Sequence, residues 1–430
     1  MMNWYAKRVR ISRNITLAGK HYPTQDHSYL PGFLFEQEAG FIYRKEIFMK
    51  EYDVVIIGGA IAGPVAAKFC AQQNLKTLLI EQFEVPREKP CSGIQFTYFE
   101  KIIGDPIPQE RLCNNTLVKT EMRFPNGQVL QGKFPMVNFM RDTFDEWLCL
   151  LAQSYGSDFQ DGTKFKRFEE NSKGTLVYLE GKNGAETVQT KYLIDATGMR
   201  PVIRQQLRSD TGFQKGSSGA ALNYYFTADG DLETDKLYQV WNIDYNNMMF
   251  AWIYNKTLSD GKDYWVVGTG YDRDVTKRLD AFFDHVKELY KLKNVEVVKK
   301  EGYSSSMVMS GTSRIWLGEG NFLMVGDAAG LIDLTRGVGM DAAALSGRLA
   351  GKAIGLAEKT GKPVIEIYER LMKRLVKQTS ENQQRGIMSF QNNDDLQAFL
   401  DKGVMKMGMN MMLQSRLNKL RSPEKQVMIP

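Results

Sequence analysis

Cysteine is scarce in this chain. There are four in 430 residues (Cys70, Cys91, Cys113 and Cys149), and no two form a CxxC pair. That spacing argues against a zinc site or an iron–sulfur cluster, so no metal centre is expected. With no secretory signal peptide either, it points to a reducing, cytoplasmic compartment. Long apolar runs are missing as well, and with them any expected transmembrane helix. A strong charge of one sign is also lacking. The 56 basic and 50 acidic residues leave a net charge of +6. So mild an excess suits an anionic substrate or peripheral contact with a membrane, and gives no argument for nucleic acid. Acidic residues are absent from positions 1–25, which carry Lys7, Arg8, Arg10, Arg13 and Lys20. A transit peptide or a basic surface arm has this composition, and so does an extension upstream of Met49. Residues 1–48 are expected to be poorly ordered.

What is present begins with YDVVIIGGAIAGPVAAKFCAQQNLKTLLIEQ. Residues 52–57 are a β-branched apolar run, read as a buried parallel strand. Gly58, Gly59, Ala60, Ile61, Ala62 and Gly63 form a tight turn into a helix over 62–73. Lys76–Glu81 is a second strand that ends in an acid. This is a βαβ unit with glycines in the dinucleotide arrangement. Gly58 permits the sharp turn, and Gly63 lets the helix approach the strand. The helix N-terminus suits a pyrophosphate, and Glu81 is placed for ribose hydroxyls. Ala60 stands where the second glycine would. The unit by itself leaves FAD and NAD both open.

The C-terminal half narrows the choice. In NFLMVGDAAGLIDLTRGVGMDAAALSGRLAGKAIG a strand over 321–325 runs through Gly326 and Asp327 to a turn at Gly337, Val338 and Gly339. A small-residue helix starts near Met340 and Asp341. This stretch resembles the FAD-dependent group that includes p-hydroxybenzoate hydroxylase, and within it the geranylgeranyl reductase family. The family's Asp-Pro-Leu-Thr-Gly-Glu-Gly appears here as Asp333-Leu334-Thr335-Arg336-Gly337-Val338-Gly339, without the proline and glutamate. The resemblance implies that Asp327 binds ribityl oxygens and that Gly337–Met340 face the flavin. NFMRDTFDEWLCLLA resembles the family's Arg-x-x-Phe-Asp-x-x-Leu segment, which implies a flavin or phosphate contact for Arg141. As plain structure the same stretch is an amphipathic helix capped by Asp142, with Phe144, Leu148 and Leu151 inward. YLIDATGMRPVIR resembles the segment that wraps the FAD pyrophosphate, with Thr197 and Gly198 in the turn. Hydroxylases of the group carry Ala-Asp-Gly there, and Thr197 cannot replace that carboxylate in organising NADPH.

The loop REKPCSGIQF resembles the family's Lys-Pro-Cys-Gly-Gly run as Lys89-Pro90-Cys91-Ser92-Gly93. Pro90 restrains the backbone and Gly93 frees it, so one side chain is held in place. The resemblance implies that Cys91, Ser92 and Gly93 reach the flavin, and that Cys91 donates a proton or gates the flavin. The other three cysteines read as small buried apolar residues. Gln82, next to Glu81, is grouped with the cofactor contacts.

Residues 220–272 alternate apolar and polar positions with turn signals between, which predicts an antiparallel sheet. FAWIYNK (250–256) resembles the family's Tyr-x-Trp-x-Phe-Pro segment, which lines the isoprenoid cavity. Phe250, Trp252 and Tyr254 are accordingly the expected substrate contacts, and their alternation puts them on one strand face. Five methionines fall between 405 and 412 among basic residues. That tail lies on a membrane, closes a substrate tunnel, or packs on the domain as an ordinary helix.

The expected fold is α/β (α+β overall), a Rossmann-like FAD-binding domain with an interposed antiparallel β-sheet substrate domain and C-terminal helices. The expected parts are an extension over 1–48, FAD-binding segments 49–115, 141–215 and 301–360, sheet segments 116–140 and 216–300, and a helical region 361–430. The resemblance implies an FAD-dependent oxidoreductase that reduces C=C bonds of a prenyl chain on an apolar lipid substrate. NAD(P)H and ferredoxin both remain open as reductants. Its rivals are a monooxygenase of the same fold, a flavin electron carrier to membrane quinone, and a non-catalytic lipid-binding module.

Overall fold

A computed structural model describes residues 33–38, 41–46, 49–208, 218–247, 250–271, 274–306, 315–333, 339–385 and 390–426. The chain divides into two units, 1–49 and 50–430. In the first, β1 (Phe33–Glu38) and β2 (Phe41–Glu46) pair antiparallel, with Phe33 opposite Glu46. The rest of the segment expected to be poorly ordered lies outside the described residues.

The second unit opens with the predicted βαβ arrangement: β3 (Lys50–Ile57), α1 (Ala62–Ala71) and β4 (Thr77–Ile80). Next come β5 (Ile94–Phe96), α2 (Phe99–Ile103), α3 (Gln109–Leu112) and the hairpin of β6 (Cys113–Arg123) and β7 (Val129–Phe139). Then α4 (Arg141–Ser154) leads to β8 (Asp158–Gln160), β9 (Lys164–Asn171), β10 (Gly174–Gly181), β11 (Gly184–Asp195) and α5 (Val202–Leu207). β12 (Ser218–Asp229), β13 (Lys236–Val240), β14 (Ala251–Thr257) and β15 (Asp263–Tyr271) precede α6 (Val275–Leu289) and β16 (Lys293–Ser306). β17 (Gly318–Glu319) and β18 (Phe322–Met324) lead through a 3-10 turn at Gly326–Ala329 to α7 (Met340–Thr360), α8 (Val364–Arg385) and α9 (Asn393–Leu420).

The strands make two sheets. The first runs β17-β18-β11-β3-β4-β8, with β10 and β9 extending from β11. β18, β11, β3, β4 and β8 are mutually parallel. Val54, Val55, Ile56, Leu78 and Leu79 are fully buried, as expected for strands covered on both faces. Small residues let α7 settle against α1. A Cβ at Gly351 would come within 2.7 Å of Phe69 Cβ, and one at Gly347 would strike the Ala62 carbonyl.

The second sheet runs β16-β12-β15-β14-β13-β6-β7-β5 and is antiparallel except for the β13–β6 pair. Side-chain alternation sends Tyr224 and Phe226 to one face, where α6 covers them with Leu279, Phe282, Phe283 and Val286. Tyr225 points to the other face, with Leu117, Met136, Tyr254 and Val266.

Pairing draws this sheet's limits differently from composition. β5 belongs to it, with Ile94 opposite Asn138, although residues 49–115 were assigned to the FAD-binding part. β16 carries it to Ser306, opposite Ser218, beyond the expected break at 300. Asp142 is not the cap of α4. Met140 occupies that position with extended backbone, and Asp142 sits inside the first turn, accepting the Thr143 N–H at 2.7 Å.

Candidate functional site

Where β3 ends, Gly58 turns at φ +114°, and its N–H bonds to Ile80 O at 2.8 Å. No other residue fits there, because a Cβ would strike the Ala196 carbonyl. A Cβ at Gly63 would likewise meet Gly58 O. Ala62 and Gly63 open α1, whose first turn has no side-chain cap and no acid, so nothing in the helix competes for its leading N–H groups. Ala60 is half-buried in the turn before it, and Gln82 is exposed beyond β4.

Glu81 is 5% exposed and fully engaged. Its Oε2 accepts from Gly59 N–H at 2.8 Å and from Arg87 at 3.3 Å, while Oε1 accepts from Phe83 N–H at 3.1 Å. Arg87 reaches on to Asp145 at 3.4 Å. Asp145 takes a two-pronged contact from Arg141 at 2.8 and 2.9 Å. Glu81, Arg87, Asp145 and Arg141 therefore form one chain of alternating charges. Burial works against the Arg141 cation, but the Asp145 carboxylate holds its pKa above the usual value. Thr197 and Gly198 lie in the turn after β11. The Thr197 hydroxyl donates to Asp195 Oδ1 at 2.6 Å, and Asp195 Oδ2 accepts the Ile203 N–H at 2.8 Å, so this turn is fixed by its own carboxylate.

The cysteine loop joins the two sheets. Gly93, at φ +70°, lies so close to Phe139 that a side chain there would strike its carbonyl. Cys91 Sγ stands 4.0 Å from Sδ of Met340, the first residue of α7. Ser92 is tied from the opposite sheet, where Lys256 Nζ donates to Ser92 O at 2.7 Å and to Phe139 O at 3.1 Å. Lys256 is 2% exposed. Burial pushes its pKa down to about 8, with Arg141 adding to the effect and Cys91 and Glu301 opposing it. Lys89 is exposed at the rim of the site, and the surrounding protein lowers its pKa, with Arg141 and Arg87 contributing and Asp145 and Asp327 opposing. Asp327 follows Gly326 in the 3-10 turn. Burial raises its pKa against the pull of Lys89 and Arg141.

Cys91, Lys89, Arg141, Tyr225, Lys256 and Glu301 help to line a small open cleft of about 70 Å³. Tyr225 OH donates to Glu301 Oε1 at 3.2 Å. The expected substrate contacts stand elsewhere. Phe250 precedes β14 and packs with Trp241, Leu396 and Leu400. The Trp252 indole N–H donates to Asn223 at 2.8 Å, and Tyr254 is 1% exposed among Leu117, Met136 and Tyr225. None of the three lines the cleft; Tyr254 is buried, and Phe250 and Trp252 are half-buried. Gly337 and Val338 lie outside the described residues. Gly339 precedes α7, and a Cβ there would lie 3.3 Å from Asp327 Oδ1. Asp341, in the first turn of α7, accepts the Ala342 N–H at 2.8 Å and so takes up part of that helix end.

Sequence reasoning missed Arg87, Asp145, Lys256 and Glu301. For Lys256 a signal existed, since it continues the alternation of Trp252 and Tyr254 and so puts a lysine on an inward face. Cys70 and Cys149 are buried as expected. Among the described residues no group of three or more His, Cys, Asp or Glu is placed to share a metal ion, and no helix is long and apolar enough to cross a membrane. The residues present fit FAD: a glycine cradle that any Cβ would fill, an uncapped helix start beside it, and a carboxylate at Gly339.

Comparison with known proteins agrees. Residues 108–383 match the FAD binding domain family. Digeranylgeranylglycerophospholipid reductase 2 of Methanothermobacter thermautotrophicus is 25% identical over 347 residues, covering 78% of this chain and 86% of that protein. Geranylgeranyl diphosphate reductase of Rhodobacter capsulatus is 24% identical over 336 residues, covering 73% of this chain and 77% of that protein. Among solved structures, a geranylgeranyl bacteriochlorophyll reductase-like protein from Thermoplasma acidophilum superposes with a TM-score of 0.70 at 21% identity, covering 82% of this chain and 91% of the other. A myxobacterial chondrochloren halogenase shares the fold at 0.63 and 17% identity, covering 77% and 80%. This chain belongs to the FAD binding domain family and is an FAD-dependent oxidoreductase.

Proposed function

We propose that the enzyme reduces isolated carbon–carbon double bonds in a prenyl chain of the geranylgeranyl type, carried on a lipid or quinone-like head. The observation that carries this reading is the position of Cys91. Residues far apart in sequence meet there: Met340 Sδ lies 4.0 Å from its sulfur, and Arg141 and Lys256 line the same cleft. The names of the relatives support the substrate class.

Bound FAD supplies the hydride equivalents for such a reduction. The Gly58–Gly63 turn and the start of α1 hold the pyrophosphate, with Thr197 and Gly198 flanking it. Glu81 faces the ribose, and Asp327 with Gly339 and Met340 faces the ribityl and ring end. Cys91 Sγ holds the proton that reaches the second alkene carbon, Arg141 orients that sulfur, and Lys256 anchors the loop that carries it. Isolated alkenes are poor hydride acceptors, so positioning and exclusion of water account for much of the lowered barrier.

The test uses purified holoenzyme reduced with dithionite, which bypasses the choice between NAD(P)H and ferredoxin. Digeranylgeranylglycerophospholipid or geranylgeranyl diphosphate is then added without oxygen. Product heavier by two hydrogens per reduced bond supports the reading. Product heavier by an oxygen atom on admission of air makes the protein a monooxygenase. Flavin reoxidation by a soluble quinone with the prenyl chain untouched makes it an electron carrier. Cys91→Ala should keep its yellow flavin spectrum and lose turnover by about 10²-fold, the usual size of a proton-transfer contribution. Unchanged turnover removes Cys91 from the chemistry.

A further inference from the structure

One side of α9 is anchored. Leu396 and Leu400, each 1% exposed, pack with Met122, Phe124 and Trp241, and Lys101 Nζ donates to Lys419 O at 3.0 Å. The other side is bare. Lys402, Lys406, Met409, Leu413, Arg416 and Leu420 are all exposed and follow one another at intervals of four and three residues, so they share a single helix face. Met409 is 61%, Leu413 54% and Leu420 83% exposed, and Met412 flanks them at 46%. From Lys402 to Arg421 the helix carries five basic residues and no acidic one.

We propose that this face docks the enzyme on a bilayer containing anionic lipid. Apolar side chains in the middle of the stripe enter the acyl boundary. Lysine and arginine at either end extend their stems along the same surface and place their charges at the headgroups. Charge chooses this occupant over the alternatives. A two-fold contact between copies would set lysine and arginine against lysine and arginine. The N-terminal unit, with seven basic and four acidic residues in 1–49, has the same sign. A nucleic acid would use the cations but leave the methionines and leucines in water.

The test uses the full chain loaded with FAD, with no prenyl substrate present, so its failure leaves the prenyl reading standing and the reverse also holds. Vesicles of phosphatidylcholine alone and vesicles that also contain phosphatidylglycerol are pelleted with the protein. Binding to the mixed vesicles and weak binding to the neutral ones are expected. Lys402→Glu with Lys406→Glu should lower binding by about tenfold or more, and Lys402→Arg with Lys406→Arg should retain it. Leu413→Asp should weaken binding with circular dichroism and melting temperature unchanged. Equal binding to both vesicle types, or no effect of either disruptive variant, overturns the proposal. So does a dimer in sedimentation that Leu413→Asp dissolves, or capture of a nucleic-acid homopolymer in place of vesicles.

Discussion

The two sheets of this molecule make their contributions by different means. In the parallel sheet the decisive groups are backbone atoms. Gly58, Gly63, Gly347 and Gly351 matter because they leave space, and a Cβ at any of them meets a neighbouring main chain or side chain. In the second sheet the decisive groups are side chains reaching inward: Lys256, Tyr225, Glu301 and Lys299. A surface built from backbone tolerates little change and suits an invariant ligand such as a dinucleotide. A wall built from side chains can be re-cut without disturbing the sheet beneath it, and suits a substrate that differs between relatives.

Variants can break that contrast, beginning with the largest effect. Gly63→Ala places a methyl group on the Gly58 carbonyl, so loss of bound flavin and a stability loss of more than about 4 kcal/mol are expected from absorbance and urea denaturation. A yellow, stable variant would show that the turn can yield. Asp145→Asn leaves the buried Arg141 without its main counter-charge and should cost about 3–5 kcal/mol, with weaker flavin retention.

Lys256→Met tests the side-chain wall through pH. The folded lysine titrates near 8, below the 10.5 of an ordinary one, so between these values the unfolded chain binds more protons. The contribution of Lys256 to stability therefore rises with pH across that window and is flat below it. The difference in unfolding free energy between wild type and variant should shift by on the order of 2 kcal/mol from the lower to the upper end. A difference independent of pH would mean that the ammonium is hydrated. Smallest is Lys299→Ala. Its partners Glu88 and Glu301 are only 3.3 and 3.6 Å away, but it sits near the surface, so less than about 1 kcal/mol is expected in thermal unfolding.

The same contrast explains what could be read from the sequence. The strand at 52–57, the turn at Gly58–Gly63 and the strand ending at Glu81 are local, and each residue's role follows from its neighbours in the chain. The cysteine loop was legible because Pro90 and Gly93 frame it. Lys256 was legible only in part: alternation put it on an inward face, but its bonds to Ser92 and Phe139 come from chain far away in sequence. Asp145 stood in the quoted Arg-x-x-Phe-Asp segment without a role, and Arg87 gave no local signal; only the loop after β4 lying against α4 joins them to Glu81. Asp142 satisfied the rule for a helix cap, yet the helix starts two residues earlier than that rule needs. Phe250, Trp252 and Tyr254 have the alternation of a ligand wall, which is also the alternation of a sheet core.

The loop from Glu81 to Gly93 leaves β4 in one sheet and enters β5 in the other, and Lys256 pins its far end at Ser92. It works as a short tether with Cys91 close to the end that Lys256 holds. Lys256 and Phe139 both fix that end to the second sheet, so a shift of this sheet relative to α7 would carry the sulfur away from Met340.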